Sequence, residues 1–196
     1  MKIETPNSIN TIDIDITEDN TEEVNKRKTC SIFLAGTIDN GKSRNWQKEV
    51  INRLSKYALP NLTIYNPRRE DWDPNCDDQE LIKQIEWEQE KLKKATYIFM
   101  VLDDKSKSPI SLLELGEFCS SGKIMVFCTP KFYRWMNVNM FCYDWNIPLI
   151  TDIDSKSITD TILDEITIDK AEEVENEPIK EEQETFLKKI IHKINN

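Results

Sequence analysis

An α/β fold, a parallel sheet with helices on both faces, is what this 196-residue chain predicts, on two observations. Short apolar runs alternate with longer stretches of helical periodicity across residues 29–151. The runs are also hydrophobic throughout, not at every second residue, which marks strands buried on both faces.

The elements follow in order. Residues 1–28 scatter single isoleucines among Asn, Thr, Asp and Glu, too polar to offset the entropy of ordering. A mostly disordered arm is expected there, with Ile12, Ile14 and Ile16 alternating as an edge strand would. Cys30 to Ala35 is the first buried strand, stopped by Gly36. Trp46, Val50, Ile51 and Leu54 then set a helix over 43–57, and Leu62 to Tyr65 a second strand ended by Asn66-Pro67. A charged helix over 78–95 turns Leu81, Ile82, Ile85 and Leu92 inward. Tyr97 to Leu102, the most hydrophobic run, belongs at the centre of the sheet. A helix over 111–121 closes at Gly122 in a left-handed cap. Strand Ile124 to Cys128, a helix around 137–145 and strand Ile147 to Ile150 complete the domain. Residues 152–183 read as an acidic linker with room for a short helix. Residues 184–196 form an amphipathic helix with Phe186, Leu187, Ile190, Ile191 and Ile194 on one face, for docking or self-association.

Charge narrows the partners. The net charge of -10 sits at the ends: -3 over residues 1–28, -7 over 151–196 and zero between. Without a basic stripe the chain is not expected to hold duplex nucleic acid, where phosphate neutralisation dominates affinity. Five unpaired cysteines and the lack of a long apolar run point to a reducing cytoplasm and no membrane span. The single histidine, His192, lies in the tail, so the core has no Ser-His or Cys-His pair and no His/Cys zinc spacing. No metal or cofactor is expected, and carboxylates are left as the acid-base and nucleophilic resource.

One carboxylate stands out. Ser108 to Gly116 sets Glu114 among apolar neighbours just past the central strand, which ends in Asp103-Asp104. Ligands of open α/β sheets bind beyond the carboxyl ends of the strands. Glu114, expected in the first turn of the following helix, is either a nucleophile or an ordinary acid complementing the helix dipole. A competing motif is Gly36 to Ser43, which satisfies the phosphate-loop pattern G-x-x-x-x-G-K-S between a strand and a helix. Against it, Asp39 places negative charge inside a loop meant to wrap phosphates.

Several motifs occur together in order: Phe33 to Asp39, Asn45-Trp46-Gln47, Asn66 to Asp73, Gln84 to Glu88, Ser108 to Gly116, Ser121-Gly122-Lys123 and Arg134 to Asn139. Over about 120 residues, Ser31 to Pro148, this resembles the nucleoside 2-deoxyribosyltransferase family. The resemblance implies a flavodoxin-like, five-stranded sheet and an enzyme that cleaves the N-glycosidic bond of 2'-deoxynucleosides. It implies that Glu114 attacks C1', giving a covalent deoxyribosyl-enzyme that a free nucleobase or water resolves, the logic of a retaining glycosidase. Catalytic roles then fall to Glu114, Glu88 and Asp39. Substrate contacts fall to Phe33, Gly36, Trp46, Asn66, Arg68, Asp71, Trp72 and Asn139. Phe33 stands where better-known members carry a tyrosine, and Ser108 roughly where they carry a base-binding aspartate. Asn139 matches an asparagine that a neighbouring subunit lends in some members, implying a homo-oligomer.

Alternatives stay open for the weaker residues. Trp46 and Trp72 suit stacking on a base or the core. Arg68 suits the Glu114 side of the cleft, a substrate phosphate or a surface ion pair; Asp71 suits a sugar hydroxyl or a helix cap. Three other functions compete with base exchange: hydrolysis of deoxynucleosides or their 5'-monophosphates, nucleotide sensing without catalysis, and nucleoside-triphosphate hydrolysis through Gly36 to Ser43.

Overall fold

The structure is a computed structural model that describes residues 1–11, 29–39, 43–71, 73 and 76–167. Its sheet has seven strands: β1 (Lys2–Thr5), β2 (Ser8–Thr11), β3 (Cys30–Gly36), β4 (Leu62–Tyr65), β5 (Tyr97–Leu102), β6 (Ile124–Cys128) and β7 (Leu149–Ile150). The helices are α1 (Trp46–Leu54), α2 (Asp78–Lys94), α3 (Pro109–Phe118), α4 (Trp135–Asp144) and α5 (Ser155–Thr167). The order across the sheet is β2-β1-β4-β3-β5-β6-β7, with every pair parallel except β1 with β2. From β4 to β7 this is the flavodoxin-like order, and its direction reverses between β3 and β5.

Alternate residues of the buried strands face opposite helical layers. Phe33, Ala35, Ile98, Met100 and Val126 pack with Leu92, Leu115, Phe118 and Val138 of α2, α3 and α4. Ile32, Leu34, Phe99, Val101 and Phe127 pack with Trp46, Val50 and Leu54 of α1 and Ile158 and Ile162 of α5. Continuous apolar runs are required because both sets are sealed.

Two segments depart from expectation. The first eleven residues form a hairpin whose β1 pairs in parallel with β4, so the sheet has more than the five expected strands. The hairpin is anchored by Met1 and Ile3 in the α1/α5 core and by Glu4, which pairs with Lys91 at 3.0 Å and Lys2 at 2.7 Å. The Ile12, Ile14 and Ile16 alternation lies outside the described residues, as do 184–196. The expected linker from 152 begins instead with α5, whose fully buried Ile158 and Ile162 complete the layer over α1. The domain therefore includes α5.

Helix ends shift for local reasons. Asn45 caps α1 by accepting from Lys48 N–H at 3.0 Å, so the helix starts at Trp46 and not at 43. Pro109 opens α3 two residues early and puts Glu114 in its second turn, away from the favourable end of the dipole. Gly122 closes the segment at φ 68°, in the left-handed region as expected.

Where β3 and β5 end, Gly36 has φ 122°, and a Cβ there would lie 2.1 Å from the Val101 carbonyl oxygen. Only glycine permits this approach. Gly36→Ala is expected to cost at least about 2 kcal/mol of stability, read by urea denaturation, through backbone strain and overpacking together.

Candidate functional site

Beyond the carboxyl ends of β3 and β5 lies a cleft of about 750 Å3, a size suited to a small organic ligand. Its floor is Phe33, Ala35 and Gly36, one wall is α2, and the opposite wall is the start of α3 with Ser106 and Ser108 before it. The cleft exists because Thr37 ties these parts together. Its N–H donates to Val101 O at 2.8 Å, its carbonyl accepts from Trp46 Nε1 at 3.1 Å, and its hydroxyl accepts from Asp103 N–H at 3.1 Å. The same hydroxyl shares a 2.6 Å hydrogen bond with Ser108 Oγ. Ser108 is itself left-handed, φ 45°, a conformation that turns the chain into α3 at Pro109.

Glu114 reaches the cleft from the second turn of α3, and Glu88 from α2. Both are partly buried. Burial, then the negative charges of Glu88 and Glu117, push the Glu114 carboxyl up to about 8. Burial raises Glu88 as well, opposed by a hydrogen bond it accepts from Gln84 Nε2 at 2.6 Å. Gln84 Nε2 also donates to Pro67 O at 3.1 Å, which fixes Glu88 against the end of β4. Two acids facing one desolvated space thus hold a proton near neutral pH, and the pair titrates together.

Apolar residues share the rest of the lining with Arg69, Gln89, Ser111 and Glu117. Leu81, Ile85, Ile110 and Leu113 line the cleft and are exposed, although the helical pattern predicted Leu81, Ile82 and Ile85 inward. Gln84 and Leu92 take the buried side of α2, with Trp87 partly buried behind Phe33 at 6.2 Å between ring centroids. Asp39 lines the mouth, exposed and left-handed at φ 50°. Glu114, Glu88, Asp39, Phe33 and Gly36 are therefore brought to one cleft.

Others are not. Trp46 is 1% exposed in the α1/α5 core with its indole N–H satisfied by Thr37, so it has no face to offer a base. Arg68 is buried and turned away from Glu114: its guanidinium donates to Ser43 O at 2.9 Å and Arg44 O at 3.0 Å. Asn66 folds back locally, accepting from Arg68 N–H at 3.1 Å. Asp71 is exposed and bound to Arg69, which holds its carboxyl down to about 2. Asn139, expected to be lent to a neighbouring subunit, is 1% exposed inside its own domain. Trp72 lies outside the described residues. Thr37 and Gln84 were missed, and only Gln84 left a signal, its i, i+4 spacing from Glu88.

Of the phosphate-loop stretch, residues 36–39 and 43 are described. The helix that should receive a phosphate starts at Trp46, and Ser43 Oγ donates to Ile38 O at 2.8 Å. Among the described residues no group of three or more His, Cys, Asp or Glu is placed to hold a metal ion, and no helix is long and apolar enough to cross a membrane.

A flavodoxin-like domain with a carboxyl pair at its switch point is the class these features define. Residues 29–132, just over half of the chain, match the family described as nucleoside 2-deoxyribosyltransferase like, and the chain belongs to that family. No curated protein matches it significantly. Among solved structures, the crystal structure of a conserved protein from Enterococcus faecalis V583 is 12% identical, with 71% of this chain and 98% of that chain covered and a TM-score of 0.42. A likeness that slight bears on neither fold nor function.

The raised Glu114 carboxyl makes stability pH-dependent. An unfolded glutamate ionises near about 4.3 and the folded one near 8, so between those values the folded state binds the extra proton. Stability present at pH 4 is lost as pH rises to 8. Glu114→Gln is expected to flatten this slope by roughly 2 to 4 kcal/mol, measured by urea denaturation at pH 5 and pH 8.5.

Proposed function

We propose that the protein cleaves the N-glycosidic bond of 2'-deoxynucleosides and passes the sugar to another nucleobase, with Glu114 as nucleophile. The observation that carries the reading is the pairing of Glu114 with Glu88 across a desolvated cleft, in a chain of the nucleoside 2-deoxyribosyltransferase-like family.

The chemistry needs two carboxyl groups in opposite states. A Glu114 oxygen attacks C1', the bond from C1' to the base nitrogen breaks, and its electron pair leaves with the base. Glu88 supplies the proton that makes the base a better leaving group. An acceptor base nitrogen then attacks C1', the ester to Glu114 breaks, and the acceptor's proton returns to Glu88. Having one proton on the pair suits this cycle, since moving it from Glu114 to Glu88 creates the productive state without exchange with solvent. Leu81, Ile85, Ile110 and Leu113 give the cleft apolar surface that a bound substrate would cover, which strengthens the charge interactions at C1'. Water as acceptor gives the hydrolase variant of the same steps.

Phe33 lies under the cleft without a hydroxyl, so orientation of Glu114 falls to its neighbours on α3 and to the Thr37–Ser108 bond that fixes the helix start.

Assay of base release from deoxyinosine, with and without free adenine, tests the reading. Glu114→Ala is expected to lower kcat by roughly 10^3-fold or more, while Lys42→Ala leaves it within about twofold. Base release that survives Glu114→Ala removes the nucleophile; formation of deoxyadenosine separates transfer from hydrolysis.

A pH profile adds a second check. kcat/KM should be bell-shaped, falling at low pH when both carboxyls are protonated and at high pH when the pair loses its proton. Glu88→Gln should lower kcat throughout and remove the alkaline limb, because the proton whose loss produces that limb is no longer carried by the pair, while burial still holds the Glu114 carboxyl up.

A further inference from the structure

We propose that Glu4 of the N-terminal hairpin is a positioning residue for Glu88, acting through Lys91 to hold the turn of α2 that carries Glu88 into the cleft. Glu88 supplies its proton as in the preceding reading, on which this role rests; the tie between Glu4 and α2 is a feature of the packing. The hairpin, residues 2–11, lies outside the stretch 29–132 that matches the family, so the tie comes from a part of the chain that the match does not cover.

Helix α2 needs outside support. Of its seventeen residues only Gln84 and Leu92 are buried, whereas α1 buries five of nine, because the face of α2 with Leu81 and Ile85 is a cleft wall and not a packed layer. Polar ties supply what packing does not. Glu4, 9% exposed, accepts from Lys91 Nζ on one carboxylate oxygen at 3.0 Å and from Lys2 Nζ on the other at 2.7 Å. Lys91 is three residues beyond Glu88, so the two share one side of the helix. Its Nζ also stands 5.2 Å over the Tyr65 ring, Tyr65 meets Trp87 edge-on at 6.5 Å between centroids, and Trp87 lies behind Phe33 in the cleft floor.

Glu4 reaches Glu88 through the backbone as well. Its carbonyl accepts from Asn66 N–H at 2.9 Å, and the Pro67 carbonyl beside it accepts from Gln84 Nε2, the group that binds Glu88. The hairpin turn adds a hold at the other end of α2: Asn7 Nδ2 donates to Asp71 at 3.2 Å, and Arg69 joins Asp71 to Glu80 of the first helical turn at 2.6 Å. The charged groups that share the cleft with Glu88 are Glu114, Glu117, Asp39 and Arg69, while Lys91 is held outside it by Glu4. Burial is what raises the Glu88 carboxyl. Without the Glu4 carboxylate, α2 can tilt to admit water, and Lys91 loses a buried partner while keeping Glu90 at 3.5 Å. Water and a released lysine both favour the ionised form of Glu88, and an ionised Glu88 has no proton to give a leaving base.

Carboxyl titration of the full chain by carbon NMR, with Glu88 assigned from the Glu88→Gln spectrum, tests the tie without turnover. In Glu4→Ala the Glu88 midpoint is expected to fall toward the ordinary glutamate value. Lys91→Met should lower it too. That variant keeps an apolar stem over Tyr65, leaves the strand pairing intact and deletes the charge, so it reads loosening alone and decides the matter should Glu4→Ala fail to fold. Base release from deoxyinosine reads the consequence: each variant should lower kcat roughly 5- to 50-fold with KM within about twofold. Adding Glu4→Ala to Glu88→Gln should cost no more than about twofold further, because the group being positioned is already gone. A Glu88 midpoint unmoved in Lys91→Met overturns the inference. Losses that multiply in the Glu88→Gln background overturn it as well, since they mark a general effect on the fold. Failure of the glycosidic reading looks different: the wild-type chain releases no base while the Glu88 midpoint still falls in both variants.

Discussion

The contact between Gly36 and Val101 is the constraint on which the site depends. With no Cβ at Gly36, the ends of β3 and β5 approach closely, and the chains leaving them must part to opposite faces of the sheet. Thr37, the next residue, bonds to Val101, Asp103, Ser108 and Trp46 and so fixes how far they part. Trp46 serves the site from below, through the core. A single buried hydroxyl at the switch point thereby sets where α3 begins, and with it the direction in which Glu114 points.

From that direction the electrostatics follow. Glu114 stands one turn beyond the stretch where the helix dipole would stabilise its charge, faces apolar residues, and has Glu88 and Glu117 as charged neighbours. Each feature disfavours an ordinary ionised surface acid. Glu88 is held by Gln84, whose second bond reaches the end of β4, so the two carboxyl groups are carried by different helices yet referenced to the same sheet edge. A carboxylate freed of its hydration shell is a stronger nucleophile, and a carboxylic acid kept protonated beside it is a proton donor near neutral pH.

Much of this was legible in the sequence because buried strands and helix caps write themselves locally. Tyr97 to Leu102 has no polar residue to put on a wet face, and Gly122 follows its helix where a left-handed cap belongs. The hairpin escaped notice since its anchors, Met1, Ile3 and the Glu4 pair with Lys91, are partners distant in sequence. The end of the domain escaped for the same reason: Ile158 and Ile162 look isolated in an acidic stretch until α1 supplies the surface they cover. Within the site, the apolar setting pointed to Glu114 and the family resemblance to Glu88, but neither told which of Trp46, Arg68, Asn66 and Asn139 face the cleft. That depends on rotation of elements about their axes, and on which backbone carbonyls lacked donors. Leu81 and Ile85 show the converse, apolar residues left at a surface because the surface is a cleft wall.

The claim at the centre is that a Glu114 oxygen bonds to the anomeric carbon. Incubation of the protein with a 2-fluoro deoxynucleoside analogue, which slows the second displacement, followed by proteolysis and mass spectrometry, addresses that bond directly. The account predicts one added fluorinated sugar on the peptide that contains Glu114. Base release with the chain's mass unchanged, or an adduct on Glu88 instead, would contradict it.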